Sequence, residues 1–458
     1  MVDRYGLRPI ASTLRIDPAN GRFFVDAAGK AVVLAGMHTW TNLQDADNAS
    51  RQDPPDPFDW DCYLDTIVGY GQNFIRLWMM EYVDIEYDDN KPHFTPAVHE
   101  RTGPGLDLAG KPRFDLTRLN QAYFDRLGER VAEAGARGVY VSIMLFEGVW
   151  SSGQVHWDGH PFNGANNVNG VDVEPLDSTE SGWGYGSNYH SLADPRVLEL
   201  QRAYVRKVID TVGDLDNVLY EISNEDWGSP ANIDWQYAMI EFIHEYESGR
   251  AKQHPVGMTP TWNQNNDVVF NSPADWISPC DCMHRPVDEN GGRSYTSDPP
   301  AAGGQKVVLV DTDHIFGIGG DATWVWKTFS RGYSPIYMYQ PESVGPGRSV
   351  VRDAATGGAL RAMGDVVSYG TRMDLGRHRP SGELSSTGYA LADPGREYLV
   401  YQPLSGELRL DIAEGEYTVE WFRPGADDPE SAGTVRGGGR QAFAPPFDGP
   451  GVLFLQRT

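Results

Sequence analysis

Along the first 380 or so residues, short apolar runs ending in polar residues alternate with segments of helical spacing. A short apolar run bounded by turn residues reads as a buried strand, and apolar residues three and four apart read as one face of a helix. Strands are expected at 31–36, 73–80, 139–146, 218–225, 255–260, 275–279, 306–310 and 335–339. Helices are expected at 58–71, 116–137, 194–213, 233–248, 323–331 and 359–374. Strands alternating with helices form parallel βα units, and eight of them close into a (β/α)8 barrel, an α/β fold. The spacing of Glu225 and Asp313 agrees with about three βα repeats of roughly 30 residues each.

The remaining segments frame this barrel. Residues 1–30 form a lead-in, with a small hairpin built on Arg22–Asp26 and the Gly29-Lys30 turn. The barrel is expected over 31–382. Residues 81–115 read as a long polar loop. Residues 147–191 form a second long loop carrying Trp150, Trp157, Trp183, Tyr185 and Tyr189, read here as one wall of a binding cleft. Beyond 383 the pattern changes to short strands at 398–401, 407–412, 417–422 and 452–455, separated by Gly, Pro and Asp turns. That reads as a small all-β sandwich over 383–458. It has no clear catalytic cluster and is read as packing on the barrel for stability, with carbohydrate binding as the alternative.

Charge and cysteine usage narrow the function. A net charge of -26 argues against nucleic acid and anionic membranes, which need a basic field. No apolar run reaches the 18 or more residues of a membrane span. Residues 1–5 lack an apolar signal region, so a cytoplasmic location is expected, with export before processing left open. Three cysteines do not make a disulfide framework and are expected to be reduced. Cys280-Asp281-Cys282 lacks a second ligand pair at zinc spacing, and there is no Gly-rich phosphate loop, so neither metal nor other cofactor is expected. The 13 Trp and 22 Tyr suit sugar rings, whose C–H faces stack on aromatic side chains.

The chemistry lies at the strand ends, which in a barrel converge on one mouth. There stand His38, Trp40 and Asn42; Arg76; Glu147; Asn224 and Glu225; Trp262 and Asn263; His284; Asp311, Asp313 and His314; and Glu342. Glu225 after the fourth strand and Asp313 after the seventh would face each other. Two carboxylates on opposite sides of a sugar are the minimum for glycosidic cleavage, one protonated and one ionised. Arg76 inside an apolar strand needs a buried partner, either a structural ion pair or a catalytic carboxylate held ionised. His314 is a second group that would keep Asp313 ionised. Asp311 is the alternative nucleophile, Glu342 a weaker one. His38 reads as a substrate contact rather than a buried barrel residue, and Trp262 as a platform under the sugar. Glu147 reads as a substrate ligand or arginine partner. His284 divides evenly between contact and structure.

Asn224-Glu225 at the end of the fourth strand, with Arg76 on the second and a carboxylate on the seventh, resembles the cellulase-like clan A of (β/α)8 glycoside hydrolases. Leu34-Ala-Gly-Met-His-Thr-Trp-Thr-Asn-Leu-Gln44 and the 388–401 segment resemble a branch that includes the apiosidases, whose barrel is followed by a sandwich labelled collagen-binding. This resemblance implies a retaining mechanism with Glu225 as acid/base and the strand-seven carboxylate as nucleophile. The clan's usual nucleophile there is Glu, one methylene longer than Asp313. The expected activity is an exo-acting glycoside hydrolase with a carbohydrate substrate. The alternatives are an inverting enzyme or transglycosidase, or a non-catalytic sugar-binding protein on a degenerate barrel.

Overall fold

The computed structural model describes residues 6–39, 42–47, 55, 57–83, 93–148, 157–173, 188–226, 228–261, 265–281, 294–315, 320–339, 354–426 and 428–458. Eight parallel strands form one sheet: β1 (Gly36–Thr39), β2 (Phe74–Leu77), β3 (Tyr140–Glu147), β4 (Val218–Asn224), β5 (Val256–Met258), β6 (Trp276–Ile277), β7 (Val307–Asp311) and β8 (Ser334–Tyr339). Its order is β1-β8-β7-β6-β5-β4-β3-β2, so successive strands are neighbours and the expected barrel is present. Helices α1 (Trp60–Gly69), α2 (Gln121–Ala136), α3 (Pro195–Val212), α4 (Pro230–Glu247), α5 (Asp267–Phe270), α6 (Ala322–Ser330) and α7 (Ala354–Arg372) accompany the strands. Local chemistry sets several starts. Asp194 accepts the Arg196 N–H and Ser229 accepts that of Asn232, each just before a proline whose missing N–H costs a first turn nothing.

The barrel closes between β1 and β2 largely through side chains. Asn73 receives the Ala35 N–H at 3.0 Å and donates to Val33 O at 2.9 Å, while Gln72 receives the Met37 N–H at 2.9 Å. Asn42 and Gln44 act as a substitute strand edge. Asn42 donates to Arg76 O at 2.7 Å and receives the Trp78 N–H at 2.6 Å; Gln44 does the same for Met80 at 3.1 and 2.6 Å. Gly36 permits the close approach, since a Cβ there would lie 1.9 Å from Phe74 O.

Several expectations need correction. Ala31–Val32 belongs to the lead-in, in a three-stranded sheet with Arg15–Ile16 and Phe24–Val25, and β1 starts only at Gly36. Leu14 and Phe24 from this lead-in pack with Leu34, Phe74, Leu219, Trp276 and Leu309, and so plug the mouth opposite the catalytic one. The segment read as a polar loop contains a hairpin, His99–Leu106 with Pro112–Leu119. Residues 116–119, expected to open a helix, are strand, and α2 begins at Gln121. Phe114 and Leu116 are buried between more exposed neighbours, a period of two. Cys280 is disulfide-bonded rather than reduced, while Cys62 is free.

The C-terminal region is a two-sheet module. A six-stranded sheet of Arg379–Pro380, Ala390–Asp393, Glu397–Gln402, Gly451–Arg457, Glu416–Phe422 and Glu430–Arg436 faces the pair Leu408–Ile412 and Gly439–Phe443. Tyr398, Val400, Leu410, Tyr417, Trp421 and Leu453 fill the space between them. The opposite face of the large sheet joins the barrel core, where Trp326 of α6 stacks on Tyr401 at 6.3 Å and Tyr369 of α7 meets Phe422 and Phe454. Arg372 holds Glu420 across this junction at 3.0 and 2.8 Å. A sheet buried on both faces explains the unbroken apolar run at 398–401.

Candidate active site

Arg76 stands at the centre of the mouth, 2% exposed, and its fork reaches three side chains. Nε donates to Glu221 Oε2 at 2.8 Å, and Nη2 donates to Glu221 Oε1 and to Asn224 Oδ1, the latter at 2.7 Å. Nη1 donates to Asp313 Oδ2 at 3.1 Å and lies 3.9 Å from Asp311 Oδ2. Arg76 therefore meets two kinds of carboxylate at once. Glu221 is the structural ion partner, and Asp313 is a carboxylate at the mouth. The guanidinium also lies 4.6 Å over the Trp78 ring. The sequence reading did not single out Glu221, although a charge in the middle of Val218–Asn224 was a visible anomaly.

The two aspartates after β7 differ in role. Asp311 accepts from His38 Nε2 at 2.9 Å and caps the turn Thr312–His314 by receiving the Asp313 N–H at 3.0 Å. Burial pushes the Asp311 carboxyl up, but His38, bonded to it, and Arg76 hold it below the usual range. Asp311 is thus a fixed anion that aims Asp313. Asp313 is pushed up to about 6, by burial and by the Asp311 charge, with Arg76 opposing.

Glu225 follows β4 directly and is the described non-glycine residue with positive φ, 44°. Such a conformation costs roughly 1–3 kcal/mol and persists only where the surroundings enforce it. Burial, then the charges of Asp313 and Glu147, raise the Glu225 carboxyl well above its ordinary value, and Arg76 only partly offsets them. One polar atom each of Glu225, Asp313 and His314 lies within 4.8 Å of the others. Burial and mutual repulsion thus raise both carboxyls, and Asp313 is the one with a cation, Arg76, within hydrogen-bond distance.

His314 does not contribute the positive charge expected of it. Burial, with Arg76 and His38, lowers its pKa to about 3, so the ring is neutral; its Nδ1 pairs with Ser278 Oγ at 2.7 Å. Its Nε2 lies 3.4 Å from Asn224 Oδ1 and 3.7 Å from Asp313 Oδ2. Glu225, Asp313 and His314 are the described group compact enough to ligate a metal ion. Asp313 of this group is also the hydrogen-bond acceptor of the Arg76 guanidinium.

Other predicted site residues are held in buried hydrogen-bond networks. His38 is fully buried, stacked 5.7 Å from Trp78 and bonded to Asp311. Asn42 is fully buried, and its amide is spent on the Arg76 and Trp78 backbone. Glu147 receives Trp78 Nε1–H at 3.1 Å and Asn224 Nδ2–H at 3.2 Å, and so orients the residue preceding Glu225. Trp40, Trp262, Asn263, His284 and Glu342 lie outside the described residues. The sequence reading did not mark Trp78, Ser278 or Asp226 as site residues.

Comparison with known proteins places this geometry. A family model, Domain of unknown function (DUF6298), matches residues 85–278. No curated protein sequence matches the chain. Among solved structures, a glycoside hydrolase is similar over 98% of this chain and 97% of its own, with 12% identity and a TM-score of 0.59. A glycoside hydrolase family 5 protein from Bacteroides vulgatus is similar over 99% and 94%, with 13% identity and a TM-score of 0.58. A third structure from that organism gives 14% identity, 98% and 82% coverage, and a TM-score of 0.61. At such identities the likeness establishes the fold, a (β/α)8 barrel followed by a β-sheet module.

Proposed function

We propose that this chain is a retaining glycoside hydrolase with Glu225 as acid/base and Asp313 as nucleophile. The observation that carries this reading is the facing pair itself: polar atoms within 4.8 Å, with the Glu225 carboxyl pushed up by burial and by the Asp313 charge and Asp313 tied to Arg76. Retaining enzymes place their carboxyls about 5–5.5 Å apart, whereas inverting ones leave about 6.5–9.5 Å for water. The close approach therefore favours double displacement even though Asp is one methylene shorter than Glu.

In the first step an Asp313 oxygen bonds to the anomeric carbon as the glycosidic C–O bond breaks. Glu225 passes its proton to the departing oxygen. Esterification removes the Asp313 charge, and with it one cause of the raised Glu225 pKa. Glu225, now a carboxylate, accepts a proton from water as that water displaces the ester at the anomeric carbon. Asp313 leaves ionised, and Glu225 is protonated again.

The fold shared with structures named as glycoside hydrolases supports the reaction class. The resemblance of 34–44 and 388–401 to the apiosidase branch and the long segment between β3 and α3 support a pocket and exo action on a terminal sugar. The test is hydrolysis of a panel of aryl glycosides, with the first-formed anomer read by NMR. Retention is expected, with a 2-deoxy-2-fluoro glycoside trapped on Asp313 and activity lost by about 10²–10⁴-fold in Glu225→Gln. An inverted product, or label on another residue, would refute the assignment.

A further inference from the structure

We propose that the buried ion pair of His190 with Asp226 is a positioning device, which holds Glu225 in its left-handed backbone geometry and ties it to the segment preceding α3. This rests on the reading of Glu225 as acid/base.

Both neighbours of Glu225 are pinned. Asn224 is held by Arg76 and Glu147, as described. Asp226 turns back on the chain, buried, and receives Ser223 Oγ–H at 2.8 Å; it also pairs with His190 Nδ1 at 2.8 Å. Between two such anchors the residue in the middle has little freedom in φ. Gly148 leaves room for the resulting turn: its N–H donates to Asn224 O at 2.8 Å, and a Cβ on it would lie 2.5 Å from Asp226 Cα and 2.6 Å from Asn224 O.

His190 lies in the turn Asn188–His190, ahead of α3, and is buried. Its ring stacks on Trp235 of α4 at 4.3 Å and 17°, and its Nε2 lies 3.7 Å from Glu81 Oε2, beyond the end of β2. Burial alone would discharge it, but Asp226 and Glu81 raise its pKa to about 10. A cation fixed between two carboxylates and clamped on an indole is a rigid anchor. Through Asp226 it reaches the backbone of the proton donor without touching the Glu225 side chain.

A purely stabilising pair and a positioning pair differ in what their loss does to proton donation. The full-length variants His190→Gln and Asp226→Asn are compared with wild type by crystallography and by kinetics. The substrates are the phenyl and 2,4-dinitrophenyl glycosides of whichever sugar wild type cleaves best. The dinitrophenyl group departs without a proton, whereas the phenyl group needs one.

Expected are a Glu225 φ that returns to negative values and a kcat/KM for the phenyl glycoside that falls by about 100-fold or more. In kcat/KM, which reports formation of the ester and not its base-assisted hydrolysis, the dinitrophenyl glycoside should lose less than about tenfold. Should His190→Gln fail to fold, Asp226→Asn, which keeps size and shape, carries the comparison. A positive φ retained in the variants overturns the proposal, as does an equal loss on both substrates. If wild type cleaves no aryl glycoside, the glycosidase reading fails while the φ of the variants still decides the device.

Discussion

Arg76 Nη1 donates to Asp313 Oδ2 at 3.1 Å, joining residues 237 positions apart in the chain. The same guanidinium binds Glu221 with Nε and Nη2, so one buried cation serves a structural anion and a reacting one. Arg76→Lys replaces a planar fork by a point charge that cannot reach both. With the ammonium paired to Glu221, Asp313 loses its hydrogen-bonded cation, and its pKa rises above about 6. The acid limb of the pH–rate profile is expected to move to higher pH, and kcat to fall by at least about tenfold, the equivalent of about 1.4 kcal/mol. An unmoved acid limb would show that Arg76 does not govern Asp313.

The wild-type profile should be bell-shaped. Asp313 must be ionised, so activity is lost as pH falls through about 6. Glu225 must be protonated, and its pKa is raised by burial and by the Asp313 charge, so the opposite limb lies at higher pH than an ordinary glutamate would give. A plateau extending down to pH 4 would contradict Asp313 as nucleophile.

Glu225 also weighs on stability. Its folded pKa exceeds its unfolded one, so the folded state binds the proton more tightly. Stability is therefore highest below the unfolded pKa and declines as pH rises through the folded value. Glu225→Gln removes this penalty and one partner of the Asp313 repulsion. Thermal unfolding at pH 8 should show a higher Tm than wild type, and the difference should vanish at pH 4. A lower Tm at pH 8 would mean the carboxyl is not electrostatically strained.

Asn42→Ala separates a structural from a substrate role. Its loss leaves Arg76 O and Trp78 N–H buried without their partner, at a cost of about 1–3 kcal/mol each. Urea unfolding should shift to lower denaturant while KM of the folded variant stays close to wild type. A raised KM with unchanged stability would return Asn42 to the substrate.

Much of the barrel was legible because its evidence is local. Apolar runs ending in polar residues gave the strands, and Asp194-Pro195 gave a helix start, whereas α4, expected from 233, begins at Pro230. The hairpin at 99–119 was misread because the alternation of Phe114 and Leu116 ran into the pattern of α2. The two-sided burial of the C-terminal sheet was equally hidden, since it depends on Trp326 and Tyr369 arriving from the barrel.

By itself the sequence determined that Arg76 needs a buried anion, that Glu225 ends a strand at the mouth, and that a carboxylate would face it. Those follow from polarity and period, which neighbouring residues settle. Only the tertiary structure decided that Glu221 is the main partner, that Asp311 is a cap and Asp313 the group at the mouth, and that His38, Asn42 and Glu147 are supports. Each of these depends on where a side chain points after a turn and on which distant charge meets it. Charge interactions fall off over a few ångströms, and separation along the chain does not measure that distance.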